Sequence, residues 1–185
     1  MVVVEIAFWA SVGLIVWTHV GYPAAMGVLA RVRPRPVRRA EIEPSVTLIV
    51  SAHDEESVIG RRVANLLELD YPVEKLAIVV ASDGSTDRTD EIVEEIAARE
   101  RRVRLLPCPR EGKVAAQHRA VRETESEVLA FTDANTEWRP DALRRLVRNL
   151  ADSEVGYVCG LLRLESPDGA NLEGIYWRYE TWVRE

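Results

Sequence analysis

The sequence predicts an α/β fold in which helices cover both faces of a mostly parallel sheet, preceded by one transmembrane helix. Two observations support this prediction. Short runs of β-branched and other apolar residues alternate with segments of helical periodicity from residue 44 onward, which is the pattern of a parallel sheet. Before them, the 25 residues of segment 6–30 contain no Asp, Glu, Lys or Arg, and about 20 such residues form a helix that crosses a membrane.

Charge is distributed very unevenly along the 185 residues, whose formal net charge is −6. Segment 31–39 holds five arginines and no acid, whereas segment 40–185 has a net charge of −10. An acidic domain argues against a nucleic-acid partner, since such proteins need a basic surface. Cys108 and Cys159 are too far apart in sequence for a CxxC zinc site, and two cysteines form no disulfide framework, so we expect a reducing compartment.

We expect residues 1–30 to form a transmembrane anchor, 31–43 a basic Pro-rich linker and 44–185 the folded domain. In a cleaved signal peptide the basic residues precede the apolar run, whereas here they follow it. The arginines should stay on the cytoplasmic side and contact anionic membrane lipid. This places the N-terminus outside the cell membrane and the folded domain in the cytoplasm. The alternative is a buried core helix of a soluble protein.

Extended chain is predicted for five apolar stretches: 46–50, 76–80, 103–106, 128–131 and 155–164. The first two, VTLIV and LAIVV, are continuous apolar runs, as expected for strands that are buried on both faces of a sheet. The third and fourth, VRLL and VLAF, are shorter runs of the same kind.

Helices are predicted after these stretches, at 58–67, 87–98, 113–121, 140–150 and 171–185. The first has apolar residues at 58, 59, 63, 66 and 67, which is the spacing of one helix face. Thr86 or Asp87 can cap the second helix. Pro140 stands at the first position of the fourth helix, where proline is favoured. The crossovers between parallel strands should be right-handed.

Polar residues follow the predicted strands, in the segments 51–56, 82–87, 111–113 and 132–136. In a parallel sheet these segments meet at the carboxyl edge, where ligands bind. Converging carboxylates repel one another unless a cation intervenes, so we predict a hard divalent cation with oxygen ligands beside a phosphate group. Lys113 can supply a positive charge to that phosphate. Alternatively, these residues only form turns and helix caps, and His53 is an ordinary hydrogen-bonded loop histidine.

Several other nucleotide-binding and hydrolase folds are disfavoured by missing motifs. The chain has no GxxxxGK[ST] phosphate loop, no GxGxxG after the first strand and no GxSxG elbow. A P-loop NTPase, a standard dinucleotide site and an α/β-hydrolase are therefore not expected.

Segment 44–185 resembles the family 2 glycosyltransferases, which have the GT-A fold with a Rossmann-like nucleotide-binding half. The resemblance rests on four motifs in order along the chain: Ser51-Ala52-His53-Asp54-Glu55-Glu56, Ser82-Asp83-Gly84-Ser85-Thr86-Asp87, Gly112-Lys113 and Asp133-Ala134-Asn135. They are similar to the family's Pro-x-Tyr-Asn-Glu-Glu, Asp-Asp-Gly-Ser-Thr-Asp, Gly-Lys and metal-binding Asp-x-Asp. The apolar helix with its arginine-rich flank is similar to the cellulose- and hyaluronan-synthase-like members.

The resemblance implies transfer of a sugar from a nucleoside-diphosphate sugar, typically a UDP-sugar, to a saccharide or lipid-linked acceptor with inversion. Ala52, His53 and Glu55 would line the nucleoside pocket, and Asp83 would accept a hydrogen bond from the base. Lys113 would lie beside the nucleotide. The catalytic Asp133 would hold Mg²⁺ or Mn²⁺ on the diphosphate, with Asn135 assisting. Asn135 replaces an Asp of the family pattern, so we expect the site either to bind its metal more weakly or to tolerate a different cation.

The family's acceptor half and its general base should follow the point where this sequence stops. We therefore expect the domain to be incomplete at the C-terminus, with no acceptor-side base in this chain. Two alternatives stay open: a catalytically silent subunit that binds a nucleotide-sugar, and a membrane-tethered α/β scaffold without enzymatic activity.

Overall fold

The structure, a computed structural model, describes residues 1–161. The predicted helix at 171–185 and the end of the fifth predicted stretch lie outside the described residues. The described chain divides into two compact units, one containing Met1–Val37 and the other Arg38–Gly160.

Residues 1–37 of the first unit contain one long helix, Val2–Val32, with no buried residue. It consists of α1 (Val2–Val16), a π-helical turn (Trp17–Gly21) and α2 (Tyr22–Val32). In the π turn the Tyr22 N–H bonds to the carbonyl of Trp17, just before Pro23, which has no N–H to donate. Among residues 1–161 this is the one helix long and apolar enough to cross a membrane.

The second unit contains a four-stranded parallel sheet with the strand order β3-β2-β1-β4. The strands are β1 (Val46–Ala52), β2 (Leu76–Asp83), β3 (Val103–Cys108) and β4 (Val128–Asp133). The four predicted strands are thus confirmed, and each extends two or three residues beyond its predicted end. Backbone pairing continues past the last apolar side chain, because hydrogen bonds between strands do not depend on side-chain polarity.

Helices cover both faces of this sheet, as predicted. The helices α3 (Ile59–Leu67), α4 (Thr89–Ala97) and α6 (Ala142–Val147) pack on one face, in a core that includes Leu48 and Ile78. The opposite face is covered by α5 (Lys113–Arg122). From β1 the chain adds β2 and then β3 on one side, and it then returns to place β4 on the other side of β1. The crossover from β3 to β4 therefore runs in the opposite direction to the first two. Because all three crossovers are expected to be right-handed, this reversal places α5 on the opposite face of the sheet.

Two predicted elements differ from the structure. The helix expected at 140–150 is α-helical only over Ala142–Val147 and ends in a 3₁₀ turn, Arg148–Ala151. The described part of the fifth extended stretch, 155–161, forms no strand. Gly156 and Gly160 interrupt this segment, and glycine weakens a strand because it has no side chain to pack.

Three residues inside the predicted linker 31–43 are hydrogen-bonded to the chain around the last 3₁₀ turn. The Arg38 N–H donates to the Asp152 carboxylate at 3.0 Å, and Arg39 Nε donates to Asn149 Oδ1 at 2.9 Å. The Ala40 N–H donates to the Arg148 carbonyl at 3.3 Å. These bonds fix the start of the second unit.

Candidate functional site

A cleft of about 420 Å³ opens at the carboxyl edge of the sheet. Its lining consists of Ser51, Ala52, His53, Glu55, Asp83, Arg110, Gly112, Lys113, Asp133, Ala134 and Asn135. The seven residues that the sequence singled out for the site therefore lie together. The cleft includes the ends of β1 and β4, where the strand order reverses, which is the usual ligand position in such sheets. Its volume lies within the range of small-molecule sites.

Strand register explains why residues from distant parts of the sequence meet here. Ser51 is paired with Ala81 on one side and with Asp133 on the other. On the far side of β2, Asp83 is paired with Cys108, so the segment after β3 begins beside it. Asp83 and Asp133 are the last residues of β2 and β4. Because both belong to the same hydrogen-bonded sheet, the sheet fixes the distance between them.

Asp83 is almost completely buried and its carboxylate accepts several hydrogen bonds. The N–H groups of Glu111 and Gly112 donate to Oδ1 at 2.9 and 3.0 Å, and Arg110 Nη1 donates to Oδ2 at 2.7 Å. Burial opposes ionisation, but the two amide hydrogen bonds and the Arg110 guanidinium outweigh it, so the pKa of Asp83 is lowered. Asp83 therefore anchors the whole 110–112 segment as a carboxylate.

Two glycines allow this close arrangement. Gly84 has a φ of +61°, and a Cβ at that position would lie 2.9 Å from the Cβ of Arg110. Gly112 has a φ of +97°, in the region that other residues rarely adopt. The absence of a side chain at Gly84 therefore allows Arg110 to lie close to the end of β2, and the backbone turn at Gly112 precedes α5.

Lys113 and Asp133 form the second ion pair of the cleft. Lys113 Nζ lies 2.5 Å from Asp133 Oδ1, and both side chains are about half exposed, 54% and 48%. Asn135 is exposed nearby on the same segment. Within residues 1–161 no group of three or more His, Cys, Asp and Glu side chains could hold a metal ion alone. Asp133 and Asn135 instead suit a cation such as Mg²⁺, which keeps several waters and shares its coordination with substrate phosphates.

The loop after β1 is tied to the loop after β2. Asp54, at a φ of 52°, accepts hydrogen bonds from the N–H groups of Thr86 and Asp87. The bond from the Thr86 amide is the main reason why the pKa of Asp54 is lowered. The Glu55 N–H donates to Thr89 Oγ1 at 2.8 Å. Glu55 and the neighbouring His53 are thus held on one wall of the cleft.

His53 has an incompletely paired ring. Its Nε2 lies 3.4 Å from the Asp54 carboxylate. Its Nδ1 is buried and has no hydrogen-bond partner within the described part of the chain. Because Nδ1 is enclosed by protein, the ring has to turn before a ligand in the cleft can supply the missing partner.

Four residues of the cleft lining had no role in the sequence prediction: Ser51, Arg110, Gly112 and Ala134. Ser51, Gly112 and Ala134 lie inside the motifs, and the sequence gives no separate sign of their position. Arg110 lies directly before the 111–113 segment. A basic residue at that strand end, beside a predicted cluster of acids, is a signal that could have identified it.

Comparisons with known proteins agree with this geometry. A family model described as glycosyl transferase family 2 matches residues 47–182. Beta-monoglucosyldiacylglycerol synthase of Nostoc sp. (strain PCC 7120) is 29% identical over 163 residues, covering 85% of this chain and 34% of that protein. The probable glycosyltransferase YdaM of Bacillus subtilis is 31% identical over 126 residues, covering 65% of this chain and 30% of YdaM. The chain spans about a third of the length of these curated relatives.

A solved structure shares the fold. Mannosyltransferase PcManGT from Pyrobaculum calidifontis, in complex with GDP-Man and Mn²⁺, is 32% identical with a TM-score of 0.65. The match covers 77% of this chain and 44% of that one. Since the family model matches most of the sequence, including all four strands of the sheet, the chain belongs to glycosyltransferase family 2.

Proposed function

We propose that this chain supplies the donor site and metal site of an inverting glycosyltransferase. The donor is a nucleoside-diphosphate sugar, with a UDP-sugar as the first candidate, and the acceptor is a saccharide or lipid-linked hydroxyl. The observation that supports the proposal most is the convergence of Ala52, His53, Glu55, Asp83, Lys113, Asp133 and Asn135 on one cleft. These residues come from three strand ends and one helix start, so their meeting depends on the fold.

The nucleoside is proposed to bind between the loop after β1 and Asp83. Ala52, His53 and Glu55 form one wall, and a turn of the His53 ring would let its unpaired Nδ1 bond to the nucleoside. Asp83 accepts a hydrogen bond from the base. The Arg110 side chain is 58% exposed, so it can turn toward solvent and leave an acceptor position on Asp83 for the base.

The diphosphate is proposed to bind at the Lys113–Asp133 end of the cleft. Lys113 exchanges its bond with Asp133 for a charge-assisted bond to a phosphate oxygen. Asp133 and Asn135 are then available to Mg²⁺ or Mn²⁺, which when bound would neutralise charge on the departing nucleoside diphosphate. The Mn²⁺ and GDP-Man in the complex of PcManGT support this arrangement.

Transfer is proposed to proceed with inversion. The acceptor hydroxyl attacks the anomeric carbon from the face opposite the nucleoside diphosphate, and the bond from that carbon to the diphosphate oxygen breaks. The step needs a general base within hydrogen-bond reach of the attacking hydroxyl. Lys113 stabilises the leaving diphosphate, because its ammonium group carries the opposite charge.

The helix Val2–Val32 is proposed to anchor the enzyme in the cell membrane, with the N-terminus outside and the catalytic domain in the cytoplasm. The helix has the length and composition to span a bilayer, and the arginines that follow it suit the cytoplasmic surface. A membrane position favours a lipid-linked acceptor, and the Nostoc relative is a beta-monoglucosyldiacylglycerol synthase. Membership of the cellulose- and hyaluronan-synthase-like group and a role in polysaccharide synthesis stay predictions.

Calorimetric titration of the full chain in detergent, with UDP or GDP and with or without Mn²⁺, tests the donor site. We expect saturable binding of UDP that strengthens with Mn²⁺. In Asp133→Ala the Mn²⁺-dependent part of the binding should disappear, because the cation loses its carboxylate. Asp70→Ala, which removes an exposed carboxylate outside the cleft, serves as the matched control.

Absence of nucleotide binding by folded protein would refute the donor site, and unchanged binding by Asp133→Ala would place the metal elsewhere. Release of UDP from a UDP-sugar in the presence of an acceptor then distinguishes an active transferase from a silent binding subunit.

A further inference from the structure

The helix α3 carries an arginine on its buried face. Ile59, Val63 and Leu66 of this face are completely buried against the sheet. Arg62 lies among them with only 2% of its surface exposed. An apolar side chain is expected at such a position, because arginine is rarely buried without a partner. Packing against the sheet therefore does not explain why this buried position holds an arginine.

The partners of the Arg62 guanidinium are neutral groups. Nη2 donates to Thr132 Oγ1 at 2.5 Å, and Nη1 donates to Asn65 Oδ1 at 2.6 Å. The guanidinium also lies over the Trp138 ring, 5.7 Å from its centroid. Within residues 1–161 no carboxylate forms an ion pair with it, and Nε has no hydrogen-bond partner. Thr132 directly precedes Asp133 in β4.

The same network holds both ends of the segment 132–138. At the far end, the Asn65 side chain forms two hydrogen bonds with the backbone of Trp138, each 2.9 Å long. Inside the segment, the hydroxyl of Thr136 lies 3.0 Å from that of Thr132 and donates to the Asp133 carbonyl at 3.1 Å. Arg62 contacts Thr132, Asn65 and Trp138, so it connects the two ends.

Burying the charge of Arg62 costs free energy of folding, and an apolar side chain at this position would avoid that cost. Burial lowers the pKa of Arg62 to about 10, and attraction by Glu137 and Asp133 partly opposes that shift. The side chain is therefore still cationic at neutral pH. Replacing a buried charge by an apolar side chain of similar size is often neutral or stabilising, and departures from such local rules are concentrated at functional sites.

We propose that Arg62 is a positioning residue of the donor site, which holds the segment 132–138 so that Asp133 and Asn135 meet the diphosphate and its cation. The inference rests on the proposed function. Arg62 does not line the cleft, so it acts through Thr132 and Asn65.

The test compares Arg62→Met with Arg61→Met in the full chain. Arg61 is the adjacent arginine, and its one ion pair in the described part of the chain, with Glu137, joins two side chains that are 72% and 67% exposed. Such a surface pair contributes little to holding a segment in place. For Arg62→Met we expect a melting temperature equal to or above that of the wild type, and an affinity for UDP with Mn²⁺ that falls about tenfold or more, the size of effect typical when a group that orients the ligands of a metal is lost. Arg61→Met should bind UDP like the wild type.

Uridine, which has no phosphate, separates positioning from a general structural role. Arg62→Met should bind uridine like the wild type, because its effect is confined to the diphosphate end. Equal losses of uridine and UDP affinity, or no loss of either, would overturn the inference. If Arg62→Met does not fold, Thr132→Val replaces it, since this variant removes the hydroxyl acceptor and should show the same selective loss for UDP.

The two proposals fail in different ways. If the wild type binds UDP and Arg62→Met, or Thr132→Val in its place, binds UDP with the same affinity, only the role of Arg62 is refuted. Absence of nucleotide binding by the folded wild type would refute the donor site, and the role of Arg62 with it.

Discussion

The carboxylates of Asp83 and Asp133 are each paired with a cation from the segment that leads into α5. Arg110 pairs with Asp83, and Lys113 pairs with Asp133. The Asp83 side chain is 5% exposed, whereas that of Asp133 is 48% exposed. A half-exposed ion pair contributes little stability, so the Lys113–Asp133 pair can open for a ligand. Asp83 stays fixed, because backbone amides also bind it.

Replacing Lys113 by Met should weaken binding of UDP with Mn²⁺ about 10- to 100-fold, since a hydrogen bond to a charged group contributes about 1.5–3 kcal/mol. The same variant should bind Mn²⁺ alone more tightly, because Asp133 loses its competing cation. Arg122→Met removes an exposed cation from the other end of α5 and is the control. Calorimetry measures both affinities, and a Lys113→Met protein with wild-type affinity for UDP would contradict the assigned role.

For individual residues, the sequence predicts the site role of side chains that belong to a motif. It does not predict the role of side chains that is set by contacts between distant parts of the chain. Asp83 and Asp133 are predictable because they follow apolar runs, and Lys113 because it stands at the start of a predicted helix. Arg62 was passed over because its partner Thr132 lies 70 positions away. Arg110 was missed for a similar reason, since its bond to Asp83 depends on the pairing of β2 with β3.

At the scale of elements, the four strands and the helices between them were predictable because buried apolar runs and helical periodicity are local signals. The strand ends were not, since the pairing of Asp83 with Cys108 and of Asp133 with Ser51 depends on register. The sequence also could not assign α5 to its own face of the sheet. That assignment follows from the strand order β3-β2-β1-β4.

The helix α5 approaches the sheet through small residues, and enlarging one of them should destabilise the domain. Ala116 and Ala120 are 1% and 0% exposed and pack against Ile49 and Val79. Ala120→Leu should lower the free energy of unfolding by about 1–3 kcal/mol, because overpacking displaces neighbouring side chains. Ala98→Leu, on an exposed position at the end of α4, should change it by less than about 0.5 kcal/mol. Urea denaturation measures both, and equal effects would contradict the packing described for α5.

At the scale of the whole molecule, hydrogen-bonded carboxylates make stability depend on pH. The amide of Thr86 lowers the pKa of Asp54, the amide of Arg38 lowers that of Asp152, and the Arg102 side chain lowers the pKa of Glu100 to about 2. A carboxyl group with a lowered folded-state pKa stabilises the fold above its unfolded pKa, near 4, and loses that effect as the pH falls through the folded value.

We therefore expect the free energy of unfolding to be nearly constant from about pH 7 to pH 5 and to fall steadily below about pH 4. Urea midpoints at a series of pH values measure this dependence. Asp83→Asn should flatten part of the slope, because it removes one group with a lowered pKa. Stability that rises on acidification would contradict the hydrogen bonds assigned to these carboxylates.

The two cysteines allow a test of membrane orientation. Cys108 is buried and Cys159 is exposed. If the domain is cytoplasmic, a membrane-impermeant maleimide should label Cys159 in inside-out vesicles and leave it unlabelled in intact cells. Cys159→Ser is the control for specific labelling. Labelling in intact cells would reverse the proposed topology, and recovery of the full chain in the soluble fraction would refute the membrane anchor.

The proposed function requires a nucleoside diphosphate and its cation to bind in the carboxyl-edge cleft, with the cation at Asp133. Anomalous diffraction at the manganese absorption edge, from crystals of the full chain grown with UDP and Mn²⁺, locates this cation. We expect a manganese peak within bonding distance of the Asp133 carboxylate, with the uracil beside Asp83 and His53. A bound nucleotide whose manganese peak lies away from Asp133, or a nucleotide bound outside the cleft, would refute the proposed site.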